Sequence, residues 1–164
     1  MGSVAVRLRP GRPGDAEAIT RLLAPHVATG AVLARSPAEI REQIGSFVVA
    51  VGPGGTVGAV ALRDFGRGLQ EIRSLVVTPK HTGRGVGSRL IRAAVRLAGK
   101  RGAIRVFTLT MRPRMFVRLG FLPVDRSLFP LKVWSDCSVC PKWDRCDETA
   151  LLLDLSAPAL RLRS

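Results

Sequence analysis

The sequence predicts a single domain of mixed α/β structure. Its 164 residues suffice for one hydrophobic core and are too few for two comfortable ones. Hydrophobic residues make up 46% of the chain, which argues against disorder. Strand-like segments dominate the middle of the chain, and a strand, a glycine-rich loop and a helix follow them in that order. We expect one domain over residues 1–164, with a core at about residues 4–125 and a cysteine-bearing segment with a closing strand at about residues 126–155.

The N-terminal part of the chain predicts one strand and two helices. A short strand is expected over Val4–Arg9, followed by a turn over Pro10–Gly14. Asp15 is a suitable N-cap for a first helix that should run to about His26. The sequence Ser-Pro-Ala-Glu is a capping box with proline at the first helical position, so a second helix should span about Ser36–Ile44.

Three strands are predicted in the middle of the chain. The first two span Phe47–Val51 and Thr56–Arg63 and are joined by a Gly-Pro-Gly-Gly turn, and the third spans Glu71–Val77. The same turn splits the uncharged stretch Ser46–Leu62 into two pieces that are too short to cross a membrane.

The rest of the chain predicts two more helices and two more strands. Apolar residues recur at helical spacing over Gly87–Lys100, with arginines on the other faces. A strand is expected over Ile104–Leu109, a short helix over Pro113–Leu119 and a closing strand over Ala150–Leu155. These elements complete the predicted mixed sheet.

The net charge of +14 comes mainly from arginine, which supplies 22 of the 26 basic residues. Such a balance attracts polyanions, including nucleic acids, phosphorylated cofactors and acidic metabolites. The arginines are scattered from Arg7 to Arg163, so a general arginine bias explains much of the charge and nucleic-acid binding is not indicated. No signal peptide is recognisable near the N-terminus, and we expect a cytoplasmic protein without membrane association.

Three glycines alternate with other residues in Thr82-Gly83-Arg84-Gly85-Val86-Gly87, between a β-branched apolar run and a helix. The N-terminus of a helix presents unpaired N–H groups and a positive dipole end, and glycines let an anion approach them closely. This glycine loop (residues 82–87) therefore predicts phosphate binding; the alternative is a tight connection that needs glycine only for its backbone angles. Its spacing fits neither the P-loop nor the dinucleotide-binding fingerprint.

The glycine loop resembles the acetyl-CoA pyrophosphate loop of the GNAT superfamily of N-acetyltransferases, which usually begins with glutamine or arginine. Thr82 takes that first place, which removes one side-chain contact and leaves the backbone cradle intact. Arg118-Leu119-Gly120-Phe121 resembles the Gly-Phe close of the family's last helix. The resemblance covers about residues 4–125 and implies the GNAT acyltransferase fold, with acetyl-CoA as co-substrate.

The resemblance also implies which residues hold acetyl-CoA. The end of the strand before the loop would pair through its backbone with the pantetheine arm, beside a bulge, and the loop would hold the pyrophosphate. The implied cofactor-binding residues are Leu75, Val76, Val77, Thr82, Gly83, Arg84, Gly85, Val86, Gly87 and Ser88.

In such enzymes the amine attacks the acetyl carbonyl directly, so a proton acceptor is needed and an enzyme nucleophile is not. Glu71 lies where some family members carry the general base; the alternative is an ordinary solvent-facing strand carboxylate. The family commonly has a tyrosine four residues before the glycine of Gly-Phe, which protonates the leaving thiolate. Phe116 stands there, and the chain has no tyrosine, so that role must fall to water, to another residue or to nothing.

Four segments resemble the short bacterial N-acetylglutamate synthases, which consist of a GNAT domain alone. These segments are Leu33–Ser36, Glu71–Val77, Arg105–Thr110 and Lys132–Pro141. The resemblance implies acetylation of the α-amine of L-glutamate, a step of arginine biosynthesis, and leaves a homodimer open. Another amino acid or a protein amine are the alternative acceptors, whereas a polyamine is disfavoured because the chain has only 12 carboxylate residues.

Arg35 and Arg73 are the expected acceptor-binding residues, because arginine recognises a carboxylate through two parallel hydrogen bonds. Ser74 and Lys132 are further candidates, and Ser36 is better explained as a helix cap. The alternative is chance, since among 22 arginines some will lie near any site.

Three cysteines, Cys137, Cys140 and Cys146, begin with the spacing of a zinc knuckle but lack a fourth thiolate. Zinc binding is one interpretation; three buried thiols, or one disulfide with a spare thiol, are the others. A basic nucleic-acid-binding module with a zinc-stabilised tail is the alternative from another functional class, and it predicts an affinity for DNA or RNA that falls steeply with salt.

Overall fold

The computed structural model describes residues 5–129 and 148–156, and this part of the chain forms one seven-stranded sheet with helices on both faces. The strand order is β1-β2-β3-β4-β5-β7-β6. The strands are β1 (Arg7–Pro10), β2 (Phe47–Gly52), β3 (Gly55–Asp64), β4 (Leu69–Val77), β5 (Arg105–Thr110), β6 (Leu122–Pro123) and β7 (Thr149–Asp154). The α-helices are α1 (Ala16–Ala28), α2 (Pro37–Glu42), α3 (Val86–Lys100) and α4 (Pro113–Arg118). The predicted mixed α/β class is confirmed.

The sheet is antiparallel except at its centre, where β4 and β5 run parallel. Their ladder is short: it begins at Leu69 opposite Arg105 and ends at Glu71 opposite Phe107. Both strands continue beyond that pair, so the sheet opens between them towards their carboxyl ends. One residue beyond the last pair, the Thr108 hydroxyl still donates to the Ile72 carbonyl oxygen at 2.9 Å.

Two apolar layers flank the sheet because successive residues of a strand face opposite sides. On β3, Val60 and Leu62 face α3, while Ala59 and Ala61 face α1 and α2. The helix α3 forms where its apolar residues recur every three or four positions and point to the sheet. Its buried residues are Val86, Leu90, Ile91, Ala94, Val95 and Ala98.

The Ser36 capping box is confirmed. The Ser36 hydroxyl accepts from the Glu39 N–H at 3.1 Å, and the Glu39 carboxylate accepts from the Ser36 N–H at 3.0 Å. The helix that it opens ends at Glu42, and a 3₁₀ turn follows over Ile44–Ser46.

The prediction that Asp15 is the N-cap of α1 is confirmed for its position, but its carboxylate makes no capping hydrogen bond to that helix. Instead it accepts from the Arg12 N–H at 2.7 Å and from both terminal nitrogens of Arg9 at 2.8 and 2.9 Å. The Asp15 carboxylate therefore stabilises the preceding 3₁₀ turn over Pro13–Asp15 and not the helix.

Two smaller differences concern strands. The first strand begins at Arg7, later than predicted, and includes Pro10, whose missing N–H is tolerated on an edge strand. The two-residue strand β6 was not predicted, because its residues pair only with β7, which follows much later in the chain. In the part of the chain that is described, no helix is both long and apolar enough to cross a bilayer.

Candidate active site

The glycine loop lies between the end of β4 and the start of α3. Gly83 and Gly85 have φ angles of +78° and +82°, which other L residues rarely adopt. A Cβ atom at either position would point into open space, with no protein atom within 4 Å. Gly85 is the N-cap of α3, no side chain caps the helix, and its first turn has no acidic residue. The N-terminus of α3 therefore has no side-chain cap and open space in front of it, which is the geometry that the predicted phosphate binding requires; the binding itself stays a prediction.

The flanking side chains of the loop have local roles. The Thr82 hydroxyl donates to the Thr78 carbonyl oxygen at 3.1 Å and so stabilises the turn before the loop. Thr78 also pairs through its hydroxyl with Nδ1 of His81 at 2.8 Å. Lys80 and Arg84 are exposed, which leaves their charges in the solvent around the loop.

At Gly87 the constraint is the space available to a side chain and not the backbone angle. It lies in the first turn of α3, where its φ is not in the left-handed region. A Cβ atom there would lie 3.0 Å from the Met115 sulfur of α4, which is closer than ordinary contact. Gly87 therefore allows α3 and α4 to approach each other.

A β-bulge interrupts β4 at Ser74, three residues after its last pair with β5. Ala61 lies opposite Arg73 and Ala59 opposite Val76, so one residue of β3 faces two of β4 at this point. Ser74 has a φ angle of +56°, in the left-handed region. Because the bulge turns the strand, the backbone of residues 75–77 lines the opening between β4 and β5.

Glu71 and Arg73 lie beside each other immediately before this bulge. The Glu71 side chain is 1% exposed, and its Oε1 lies 3.9 Å from Nη1 of Arg73, whose side chain is 18% exposed. A solvent-facing carboxylate, the alternative for Glu71, is therefore wrong. A buried carboxylate that is paired with a cation at a strand opening is a common feature of functional sites.

Sequence reasoning missed the other neighbours of Glu71. Arg63 of β3 is its direct partner across the antiparallel pair, and Phe107 is its partner in β5. Arg63 and Glu71 lie on the same side of the bulge as the connection between Asp64 and Gln70, so this connection, and not the bulge, sets their register. The alternation of β3 would have placed Arg63 on this face, since Ala59 and Ala61 face the same side.

Arg35 lies in the connection between α1 and α2, the two helices that cover the sheet face of Glu71. Its Nη1 makes a long hydrogen bond of 3.5 Å to Oε1 of Gln43, at the end of α2. The structure thus brings Glu71, Arg73 and Ser74 together on β4 and places Arg35 in a separate loop above that face.

Four predicted side chains, Lys132, Cys137, Cys140 and Cys146, lie outside the described residues. Within residues 5–129 and 148–156, no three histidine, cysteine or acidic side chains gather as a metal site would require. Zinc binding by the cysteines stays a prediction.

Phe116 occupies the position at which the family commonly has a tyrosine that protonates the leaving thiolate. Its side chain is 2% exposed and packs edge-on against Phe121, with ring centroids 5.2 Å apart. The position therefore serves the apolar core beneath α4 and carries no proton.

The chain is similar to known acetyltransferases. The family described as acetyltransferase (GNAT) domain matches residues 43–123. A Chlorobaculum tepidum protein, named as an uncharacterized N-acetyltransferase, is 36% identical over 148 residues, which are 90% of this chain and 96% of that protein. The amino-acid acetyltransferase of Mycobacterium tuberculosis is 30% identical over 152 residues, covering 91% of this chain and 84% of that one.

Two solved structures share the architecture. N-acetylglutamate synthase from Neisseria gonorrhoeae, complexed with coenzyme A and N-acetyl-glutamate, superposes with a TM-score of 0.80 and 25% identity. That match covers 94% of this chain but only 36% of the longer Neisseria chain. Rv2747 from Mycobacterium tuberculosis, bound to CoA, gives a TM-score of 0.77 and 28% identity over 91% of this chain and 99% of that one.

Proposed function

Because the chain belongs to the GNAT family of acetyltransferases, we propose that it transfers the acetyl group of acetyl-CoA to the α-amine of L-glutamate. N-acetyltransferase activity with acetyl-CoA as co-substrate follows from the family, and the acceptor is the proposal. One observation carries it: Arg73, a carboxylate-binding residue type, lies half-buried beside the bulge at which β4 leaves β5, next to the buried Glu71.

The residues around the glycine loop fit acetyl-CoA. Gly83 and Gly85 keep the space in front of the α3 N-terminus clear, so backbone N–H groups of residues 83–88 can bind the pyrophosphate. The backbone of Leu75–Val77, at the opening between β4 and β5, would hold the pantetheine arm. When bound, acetyl-CoA supplies a thioester whose carbonyl carbon the amine attacks and whose sulfur leaves as the CoA thiol.

This placement orders the site along β4. The loop follows the carboxyl end of β4, so a pantetheine arm that starts there and follows Val77 and Leu75 would end at the Ser74 bulge. The acceptor would then lie beyond the bulge, at Arg73 and Glu71. Ser74 adds a hydroxyl at the boundary between the two ligands.

Glutamate suits this end of the site because it carries two carboxylates. Arg73 would bind the carboxylate nearest the reacting amine, and Arg35, from the loop above, would approach the acceptor from the side of α1 and α2. Lys132 stays a further candidate. Two similar proteins support an amino-acid acceptor: N-acetyl-glutamate is bound to the Neisseria synthase, and the Mycobacterium relative is named an amino-acid acetyltransferase.

Glu71 is the proposed proton acceptor. An ammonium group cannot attack the thioester until it loses a proton, and Glu71 is the buried carboxylate beside the proposed acceptor position. Nη1 of Arg73 lies 3.9 Å from its Oε1, and a water molecule between the amine and Glu71 would complete the proton path.

The first test is thiol release from acetyl-CoA with each of the twenty amino acids as acceptor. We expect strong preference for glutamate, and Arg73→Ala should raise the KM of glutamate far more than that of acetyl-CoA. Turnover with an unrelated amino acid, and not with glutamate, would overturn the proposal that glutamate is the acceptor. No turnover with any amino acid, together with acetyl-CoA binding, would favour a protein amine. If the protein binds nucleic acid and, after nuclease treatment, does not bind acetyl-CoA, the acetyltransferase function is overturned.

A further inference from the structure

The two helical layers of the molecule differ in charge. Arginines occur along the whole chain, but residues 74–124, which include α3 and α4, contain 11 basic residues and no acidic residue. The helices α1 and α2, which pack on the other face of the sheet, together contain two arginines and three glutamates. A uniform arginine bias would give both layers a similar excess, so the positive charge is concentrated on the layer of α3 and α4.

Four basic residues form a stripe along the outer side of α3. They are Arg89, Arg92, Arg96 and Lys100. Residues that follow one another at intervals of three or four lie on one face of a helix. Arg92 is half-buried and the other three are exposed, whereas the apolar side chains of α3 are buried on the opposite face. We call these four residues the basic stripe; it is roughly 16 Å long.

The neighbouring helix α4 extends this surface. It lies next to α3, as the close approach of the Met115 sulfur to Gly87 shows, and its Arg114 and Arg118 are both exposed. Neither helix has an acidic residue. In the described part of the chain, none of the six cations of this surface forms a salt bridge with a carboxylate. Their charges therefore face the solvent together.

The basic stripe reaches well beyond the position proposed for acetyl-CoA. The glycine loop would hold the pyrophosphate at the N-terminus of α3, whereas Lys100 is the last residue of that helix, roughly 20 Å away. Arg96 lies one turn before Lys100. Both side chains are out of reach of that pyrophosphate, so binding of the co-substrate does not account for them.

The composition of this surface fits a phosphate backbone. Five of its six cations are arginines, whose planar guanidinium binds a phosphate through two parallel hydrogen bonds. Protein interfaces have apolar and aromatic centres, and single-stranded nucleic acids stack on exposed aromatic rings. The one aromatic residue of α3 and α4 is Phe116, which is buried. Helices that bind membranes insert their apolar side chains, but those of α3 pack on the sheet.

We propose that the basic stripe, together with Arg114 and Arg118, binds the phosphate backbone of double-stranded nucleic acid without reading its sequence. Contacts with phosphates fix the position of a duplex but carry no sequence information. Each phosphate that a cation neutralises releases counterions, so the affinity must fall steeply with salt. This binding is additional to acetyl transfer and does not depend on which acceptor the enzyme uses.

The test measures fluorescence anisotropy of a labelled DNA duplex of about 24 base pairs, titrated with the protein at KCl concentrations from about 50 to about 200 mM. We expect a micromolar dissociation constant, the same within about twofold for a scrambled sequence and for an RNA duplex, and a slope of log K against log[KCl] of about −4 to −5. Arg96→Gln/Lys100→Gln should weaken binding at least tenfold at about 50 mM KCl and reduce the slope by about 2.

The matched control is Arg7→Gln/Arg21→Gln, which removes the same charge from exposed positions on β1 and α1. It should change the dissociation constant less than threefold. Equal losses in the two double variants would show that net charge alone attracts the duplex, and they would overturn the proposal. Absence of binding at about 50 mM KCl, or a slope near zero, would overturn it as well.

Two further measurements complete the test. Calorimetry of acetyl-CoA with Arg96→Gln/Lys100→Gln should give the wild-type dissociation constant within about threefold, which also shows that the variant is folded. A loss of acetyl-CoA affinity as large as the loss of duplex affinity would assign the stripe to the co-substrate and overturn the proposal. Binding of polyglutamate or of anionic phospholipid vesicles without binding of the duplex would overturn it in favour of an acidic protein or a membrane.

Discussion

Glu71 has two roles open to it, and they differ in the kinetic constant they affect. As proton acceptor it acts on the reacting amine, and as an ion-pair partner it only positions Arg73. We predict that Glu71→Gln, which keeps the size of the side chain, lowers kcat by roughly 10²- to 10⁴-fold, the usual contribution of a general base. Steady-state assays with glutamate at several pH values between about 6.5 and 9 measure this loss.

The pH profile also separates the two roles. A missing base makes the rate depend on the small fraction of amine that is already deprotonated, so activity of the variant should keep rising with pH where wild type levels off. A loss confined to the KM of glutamate, with kcat retained, would contradict the proton-acceptor role and leave Glu71 as a positioning residue.

The hydrogen bonds of Asp15 allow a prediction about the stability of the fold. Hydrogen bonds from the Arg9 guanidinium, and secondarily from the Arg12 N–H, hold the pKa of Asp15 below its usual range although burial opposes this. A carboxylate whose pKa is lower in the folded state stabilises the fold at pH values above its unfolded pKa, which is about 3.9. That contribution shrinks as pH falls below this value and through the lower folded pKa.

We therefore predict that Asp15→Asn lowers the free energy of unfolding by about 1–3 kcal/mol at pH 7. Urea unfolding of both proteins across a pH series would measure the difference. It should be constant above about pH 5 and become smaller in acid. A difference that persists unchanged at the lowest pH at which both proteins fold would contradict the ionic account. Glu17→Gln, on an exposed pair with Arg41, is the control and should change stability by less than about 1 kcal/mol.

At the scale of elements, the glycine loop allows a matched comparison within one helix. Gly85, the N-cap of α3, has φ +82°, where a Cβ atom costs roughly 1–2 kcal/mol. Gly99 lies near the other end of α3, with nothing within 4 Å of an added Cβ and φ outside the left-handed region. We predict that Gly85→Ala lowers the melting temperature and raises the KM of acetyl-CoA several-fold.

Gly99→Ala should act in the opposite direction on stability. Alanine in a helix is up to about 1 kcal/mol more favourable than glycine, so the melting temperature should rise while the KM of acetyl-CoA stays constant. Differential scanning fluorimetry and steady-state kinetics on both variants test the pair. Equal KM values for Gly85→Ala and wild type would argue that the α3 N-terminus does not hold the pyrophosphate.

Elements with local signals were predictable from the sequence. The Ser36 capping box, the Gly-Pro-Gly-Gly hairpin turn and the apolar period of α3 are each contained within a few residues, and each was found where expected. The N-cap position of Asp15 was predicted in the same way, but the hydrogen-bond partners of its carboxylate were not. The sequence shows a good N-cap residue but not that Arg9, in the neighbouring strand, competes for its carboxylate.

At the scale of the whole molecule, the predictable part of the candidate site is the part that lies along one strand and its loop. Glu71, Arg73 and the glycine loop follow one another in sequence, so their motif could be recognised. Arg63 joins them only through the pairing of β3 with β4, in a register that the connection between Asp64 and Gln70 sets. Contacts that depend on how strands align across a sheet are not visible in sequence spacing.

The net charge of the whole molecule predicts how salt affects the binding of acetyl-CoA. A charge of +14 creates a positive field that attracts the phosphate groups of acetyl-CoA, and salt screens such a field within about 10 Å at 0.1 M. We predict that raising KCl from about 20 mM to about 500 mM increases the KM of acetyl-CoA about tenfold, with little change in kcat. Acetyl-pantetheine, which has the thioester but no phosphate, is the control, and its KM should not follow the salt concentration. If the two KM values rise in parallel, salt acts on the acceptor or on the fold, and the arginines scattered over this chain do not steer the co-substrate.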